Sequence, residues 1–201
     1  MPLAPSTSSL IGGRLSLDFV NELGPPSNFS WEKLLRFLLD TRVISPERSA
    51  QLLALPENDT QSAAALLLKA QRLHASLHDS FGGMLRKEVL RRDWIEPLNE
   101  VLRVTEGHDE LLQRNGVWGL EFVAREGGLD WLLAAIARSA AEIIAEGPGA
   151  RLRACSNPSC GLLFYDVSRT KRRRWCSMSR CGNRSKVAAF SRRHSAPGRS
   201  R

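Results

Sequence analysis

Residues 155–186 read CSNPSCGLLFYDVSRTKRRRWCSMSRCGNRSK, and they hold every cysteine of the chain. The four form two pairs, Cys155/Cys160 and Cys176/Cys181, with four residues inside each pair and fifteen between the pairs. Two tight turns that each offer two thiolates, joined by a loop long enough to bring them together, are the pattern of one tetrahedral zinc ion. The competing readings are disulfides or four unrelated thiols. Disulfides need an oxidising compartment, and the opening MPLAPSTSS lacks the basic and apolar regions of a secretory signal. The expected cofactor is therefore one structural zinc ion, Zn2+, held by Cys155, Cys160, Cys176 and Cys181. The expected location is the cytoplasm.

The residues around the cysteines suggest how the turns are built. Residues 151–154 suit a short strand into the first pair, and residues 162–165 a second strand. Ser168-Arg169-Thr170 reads as a turn, and residues 173–175 as a third strand returning to the second pair. Gly182 and Asn183 open a helix that runs to about residue 193. A knuckle, a hairpin and a helix that starts at the second knuckle is the layout of treble-clef-like zinc modules. A unit so small buries too little apolar surface to fold alone. The metal would supply much of its folding free energy, on the order of 10 kcal/mol or more.

Cys-Gly-Asn-Arg at 181–184, preceded by Arg-Trp-Cys-Ser-Met at 174–178, resembles the bacterial CGNR zinc-finger family, and Phe164, Asp166 and Ser168 fit its pattern. Gly-Gly-Arg-Leu-Ser-Leu-Asp-Phe-Val-Asn at 12–21 is similar to the start of that family's N-terminal ABATE domain. The resemblance implies a stress-related transcription regulator whose zinc finger binds DNA.

The chain has 201 residues, 42% hydrophobic and 25% charged, enough for one moderate core and a small appendage. Its most apolar stretch, residues 129–145, still carries Asp130, Arg138 and Glu142, so no membrane span is expected. The net charge of +8 is unevenly placed: residues 151–201 hold 14 Lys/Arg against one acid, Asp166, whereas residues 1–150 carry a net −5. A basic segment of this kind calls for a polyanionic partner. A merely solubilising tail would account for Arg199 and Arg201, and less well for a basic loop inside a metal-tied module.

Upstream, the pattern is mainly helical. Residues 1–9 are rich in Pro and Ser and read as disordered. Leu15, Phe19, Glu22 and Leu23 favour a helix stopped by Gly24-Pro25-Pro26. Ser30 is a good N-cap for a helix with Trp31, Leu34, Leu35, Leu38 and Leu39 on one face. Ser45-Pro46-Glu47 begins another. A longer helix is expected over residues 57–80, broken by Gly82-Gly83, with further helical pieces over 84–91 and 94–104. Asn115-Gly116 between apolar pairs predicts a β-hairpin over 109–124. Residues 129–146 form a final long helix before the Gly147-Pro148-Gly149 linker. The expected fold class is α+β, mostly α: a helical N-terminal domain with one β-hairpin over residues 1–147, a treble-clef-like zinc finger over 150–195, and a disordered basic tail over 196–201.

The candidate nucleic-acid contacts are Lys171, Arg172, Arg173 and Arg174 in the hairpin run, Arg180 in the second cysteine pair, and Arg184, Lys186 and Arg193 on the terminal helix. The first group would grip phosphates; Arg180, Arg184 or Lys186 would reach phosphates or base edges. Arg184 has a second reading, a structural pair with Asp166. Val187 and Phe190 should pack the helix onto the zinc module. Trp175 would shield the sulfurs or stack on a base. Asn183 and Ser168 are candidate hydrogen-bond partners of the thiolates. In the N-terminal domain Arg14, Asp18 and Asn21 are a candidate ligand pocket, with packing or capping as the alternative. His74 and His78, four apart on a helix, lack the HExxH pattern of a zincin.

No nucleophile elbow, Ser/His/Asp grouping or Gly-rich cofactor loop occurs, and four thiolates leave a zinc ion no open position for catalysis. The expected function is a non-enzymatic, DNA-binding transcription regulator with a signal-sensing or dimerising N-terminal domain. Its expected partners are DNA, a second copy of the chain as a homodimer, and a small-molecule signal. The alternatives are a zinc-dependent protein- or RNA-interaction module, and an N-terminal enzyme built around Asp18, Asn21 and His74.

Overall fold

The computed structural model describes residues 10–24, 29–104, 107–114, 117–124 and 128–194. The expectations for residues 1–9, for the Pro25-Pro26 stop, for the Asn115-Gly116 turn and for the tail at 196–201 lie outside them.

Helix α1 (Leu15–Leu23) occupies the middle of the fold. Leu17, Phe19 and Leu23 are no more than 1% exposed, and even Ser16 and Asp18 are buried. A helix buried on nearly every side needs partners all round. On one side α1 meets α2 (Trp31–Asp40), α5 (Thr60–Arg86) and α7 (Trp131–Ala145). On the other it meets a short strand of the cysteine-rich segment, introduced below. Each fully buried Leu or Phe contributes roughly 2 kcal/mol of transfer free energy, so this shared core is the main stabilising term.

The helix boundaries follow from local chemistry. The Ser30 hydroxyl accepts from the Lys33 amide at the start of α2, and the Ser45 hydroxyl accepts from the Arg48 amide at the start of α3 (Pro46–Leu53). These caps satisfy amides that have no partner in the first turn. A one-turn helix α4 (Leu55–Asn58) follows, and Asp59 caps α5.

The expected break at Gly82-Gly83 does not occur: α5 runs unbroken through both glycines and stops at Lys87, whose φ is 59°. Nor do residues 84–91 form a separate helix; α6 (Arg92–Val104) begins only after a short loop. The glycines serve close packing. A Cβ on Gly83 would stand 2.7 Å from Cζ3 of Trp94 on α6, which no real side chain tolerates. The Ser76 hydroxyl also reaches the Trp94 carbonyl, at 2.5 Å.

The expected hairpin is present as β1 (Gly107–Arg114) and β2 (Val117–Ala124), paired antiparallel from Gly107↔Ala124 to Arg114↔Val117. After α7 the Gly147–Gly149 segment makes one 3-10 turn and leads into β3 (Leu152–Ala154). β3 pairs antiparallel with β4 (Leu163–Tyr165), the strand that packs on α1. The third strand expected at residues 173–175 is absent, for a reason that lies in the buried acid described below. A π-helical turn at Met178–Gly182 precedes the terminal helix α8 (Asn183–His194).

Leu152 and Tyr165 belong to the same buried cluster as α1, α5 and α7, so the inner face of the β3–β4 hairpin completes the helical core. The expected packing of Val187 and Phe190 is overturned: they are 65% and 57% exposed. The zinc module already has its apolar contents in Phe164, Leu162, Trp175 and Ile11, so it does not need the α8 stripe.

Gly83→Ala is expected to lower stability by about 1–3 kcal/mol through overpacking against Trp94. Urea denaturation followed by circular dichroism measures it, with Gly82→Ala as the milder comparison, since its Cβ would meet the flexible end of Arg86.

Candidate metal centre

Two turns, and the loop between them, bring the cysteines together. Cys155 leaves β3 with its amide on the Leu162 carbonyl at 2.9 Å, and Cys160 closes the knuckle with its amide on the Asn157 carbonyl at 2.9 Å. Cys176 follows the basic run, and Cys181 sits in the π-turn with its amide on the Ser177 carbonyl at 3.1 Å. The Ser177 hydroxyl caps this turn by accepting from the Arg180 amide. Gly182 is closely packed: a Cβ there would lie 2.5 Å from the Met178 sulfur, so that side chain would have to move, and 3.3 Å from Trp175.

The four Sγ atoms lie within 4.8 Å of one another, and Cys176 Sγ is 3.7 Å from both Cys160 Sγ and Cys181 Sγ. All four cysteines are free. A disulfide would need about 2.05 Å. Thiolates on a tetrahedral zinc at about 2.3 Å stand about 3.8 Å apart, so the residues fit the ion. One zinc ion, held by these sulfurs, is structural: it ties the two cysteine pairs together and keeps no open position. Burial pushes the Cys176 and Cys160 thiols up, whereas a hydrogen bond from Asn157 Nδ2 brings Cys181 down to about 7. The Cys176 amide donates to Cys155 Sγ, as Asn157 does to Cys181 Sγ, both at 3.4 Å. Such donors stabilise sulfur-borne charge. Asn183, expected in that role, is exposed, and Ser168 serves Asp166 instead.

Asp166 is fully buried and organises the basic loop. Its Oδ1 accepts from the Ser168 amide and hydroxyl, and its Oδ2 accepts from the Arg173 amide at 2.9 Å. Burial alone would raise its pKa, but these bonds and the Arg153 charge outweigh it and hold the carboxylate below its usual value. Here is the reason for the missing strand: the return segment hangs from a side chain, where a ladder would need the backbone of β4.

Arg173 therefore departs from the expected phosphate contact. Its Nε donates to the Trp175 carbonyl and its Nη2 to the Cys176 carbonyl, while its guanidinium lies 4.5 Å from the Phe164 ring centre. By contrast Lys171, Arg172, Arg174, Arg180, Arg184 and Lys186 are exposed. The side chain of Arg193 is outside the described residues. Arg172, Arg174, Trp175 and Met178 line a shallow cleft of about 670 Å³. Arg174 stacks over the Trp175 ring, whose half-buried body also packs on the sulfur cluster. The structural pair proposed for Arg184 is made by Arg153, 3.8 Å from Asp166.

The N-terminal candidates meet at β4. Asn21 pairs with the backbone of Leu163 twice, donating to its carbonyl at 2.8 Å and accepting from its amide at 2.9 Å. Asp18 accepts from the Gly12 amide at 2.6 Å, and the Gly12 carbonyl accepts from the Tyr165 amide at 2.7 Å. Arg14 lies over the Tyr165 ring, 4.5 Å from its centre, and Tyr165 donates its hydroxyl to Glu146 at 2.5 Å. These residues thus hold the finger strand against α1. Asn21 alone also borders a surface cleft, beside His78 and Gly161. His74 is buried against Phe19 and Phe29 with Nε2 on the Val20 carbonyl, and burial lowers its pKa. A carbonyl only accepts, so Nε2 carries the proton. Sequence reasoning missed the roles of Asn157, Arg153 and Tyr165. Asn157, inside the first cysteine turn, was the most legible of them.

Residues 151–194 match the family model described as CGNR zinc finger, and residues 13–147 match the ABATE model, described as "Putative stress-induced transcription regulator". No curated protein matches the chain.

Burial raises Asp18 to about 6, against the lowering effect of the Gly12 hydrogen bond, with Glu22 adding to the rise. The folded chain therefore takes up a proton that the unfolded chain releases. That stability is complete below the unfolded value of 3.8 and is lost as pH rises through about 6. Asp18→Asn keeps the acceptor and removes the titration. The variant is expected to be more stable than the parent at about pH 8, by on the order of 2–3 kcal/mol, and the gap should narrow toward about pH 5. Urea midpoints across that range check it.

Proposed function

We propose that this chain, which belongs to the ABATE family and carries a CGNR zinc finger, acts as a transcription regulator by binding DNA through the exposed basic face of that finger. The observation that carries this reading is a division of labour among the cations. Arg173 and Arg153 are engaged inside the finger with the buried Asp166 and with backbone carbonyls. Lys171, Arg172, Arg174, Arg180, Arg184 and Lys186 are exposed, and no acid other than Asp166 lies in residues 151–194. Charge so placed has no internal counterion and suits a chain of phosphates.

The zinc ion makes the display rigid. The basic run at 171–174 is held by Arg153 on the Lys171 carbonyl at its start, by Asp166 on the Arg173 amide and by Cys176 beyond its end, so its backbone is held in place before any partner arrives. Less ordering entropy is then lost on binding. Lys171, at the start of the run, has a left-handed backbone with φ 52°. Phosphate contacts would set the register, and Arg180, Arg184 or Lys186, around the start of α8, would read base edges. The ABATE portion would carry the signal: α1 holds β4 directly, so a change in the helices has a short route to the finger. A finger over residues 150–195 and a regulatory domain over 1–147 are the units of this reading.

Fluorescence anisotropy with labelled duplex DNA at several salt concentrations tests it. The logarithm of the affinity should fall linearly with the logarithm of salt, by about 0.9 per phosphate contacted. Arg172→Gln with Arg174→Gln should lower that slope by about 2 while leaving zinc content unchanged. Arg173→Gln should reduce folding stability instead. An affinity indifferent to salt would contradict the proposal and favour a protein partner. Tighter binding to single-stranded RNA than to duplex DNA would favour an RNA-interaction module.

A further inference from the structure

A cleft of about 750 Å³ opens where the end of α5, the end of α7 and β3 meet. Met84, Leu85, Leu90, Ile144 and Leu152 give it an apolar lining. Two cations stand at it, Lys87 and Arg153. The one acid there, Glu88, is already matched, because Arg86 binds both its oxygens at 2.7 and 2.9 Å. Among the described residues no carboxylate pairs with Lys87. Its left-handed backbone, φ 59°, ends α5 at the cleft. A concave apolar surface of this volume with a few convergent polar groups is the usual form of a small-molecule site.

The charge decides the ligand class. From these residues we infer that the cleft binds a small amphipathic anion: an aliphatic or aromatic body against Leu85, Leu90 and Ile144, with a carboxylate between Lys87 and Arg153. A neutral or cationic molecule of the same shape would leave Lys87 without a counter-charge and would offer Arg153 nothing beyond the bonds it already makes to the Lys171 carbonyl and toward Asp166. Carboxylate is favoured because guanidinium meets it in a planar, two-bond geometry.

The position also gives the ligand a lever. Arg153 donates Nη2 to the Lys171 carbonyl at 2.8 Å, and its Nε lies 3.8 Å from Asp166. An anion in the cleft competes for that guanidinium. When Arg153 turns to the ligand, Lys171 loses its donor and the 171–174 run loosens. The site therefore couples to the basic loop through one side chain, and this link does not depend on whether the loop binds DNA.

Calorimetric titration of the zinc-loaded full chain with octanoate, 1-naphthoate, octanol and octylamine tests the site. At least one of the two carboxylates should bind with a Kd below about 1 mM, and at least about tenfold more tightly than octanol or octylamine. Lys87→Gln, at an exposed position, should remove most of that preference without loss of zinc. Leu85→Trp, which fills the cleft, should abolish binding. Octanol binding as well as the acids, no carboxylate binding below about 1 mM, or binding untouched by both variants would overturn the assignment. Amide exchange read by mass spectrometry then follows residues 167–175. Saturating carboxylate should speed their exchange roughly threefold or more. Unchanged exchange would overturn the role given to Arg153.

Discussion

Four sulfur atoms held within 4.8 Å of one another set the terms for everything around them. As thiolates they would repel, and as thiols three of them would lie buried with weak partners. A divalent ion removes both difficulties, since it draws the charges together and supplies the free energy that so small a hairpin lacks. The geometry is that of a closed site. Its work is mechanical: it fixes the ends of the 155–181 segment, so that Asp166 in the middle has a defined space to occupy. Asp166 in turn positions Ser168 and Arg173, and through them the loop that displays the remaining cations.

The finger is also tied to the rest of the chain at one edge. Asn21 reads the backbone of Leu163, Gly12 accepts from Tyr165, and Arg14 covers the Tyr165 ring. The two signature stretches, one near residue 12 and one near residue 181, thus meet at the same hairpin: α1 packs against β4, and Ile11 packs on the cluster that holds the sulfurs. Because Leu152 and Tyr165 sit in the common core, a shift of the helices meets the finger through packed atoms, without a flexible tether.

Much of this was legible in the residues. Cysteine spacing gave the metal site, serine caps gave the starts of α2 and α3, and Asn-Gly between apolar pairs gave the β1–β2 hairpin. The failures have physical causes. Gly82-Gly83 read as a break because glycine is a poor helix former, yet here the missing Cβ lets Trp94 approach α5, a tertiary effect that outweighs propensity. Residues 173–175 read as a strand from their place in the layout, but a buried carboxylate replaced the ladder. Val187 and Phe190 look like a core stripe, but the finger's apolar cluster is built from Phe164, Leu162, Trp175 and Ile11, and the two side chains stay largely exposed. Arg14, Asp18 and Asn21 carried polar chemistry that suggested a ligand pocket; the partners of Asn21 and Arg14 lie far along the chain, at Leu163 and Tyr165, where no local pattern reveals such pairing, and Asp18 binds the amide of Gly12 just before the helix.

Native mass spectrometry of the purified chain, before and after a chelator, tests the central claim most directly. The account predicts a mass excess of one zinc ion per chain with a narrow charge-state envelope, and a shift to broad, highly charged states when the ion is removed. A metal-free chain with the same narrow envelope would contradict it, since the finger would then hold its shape without the ion.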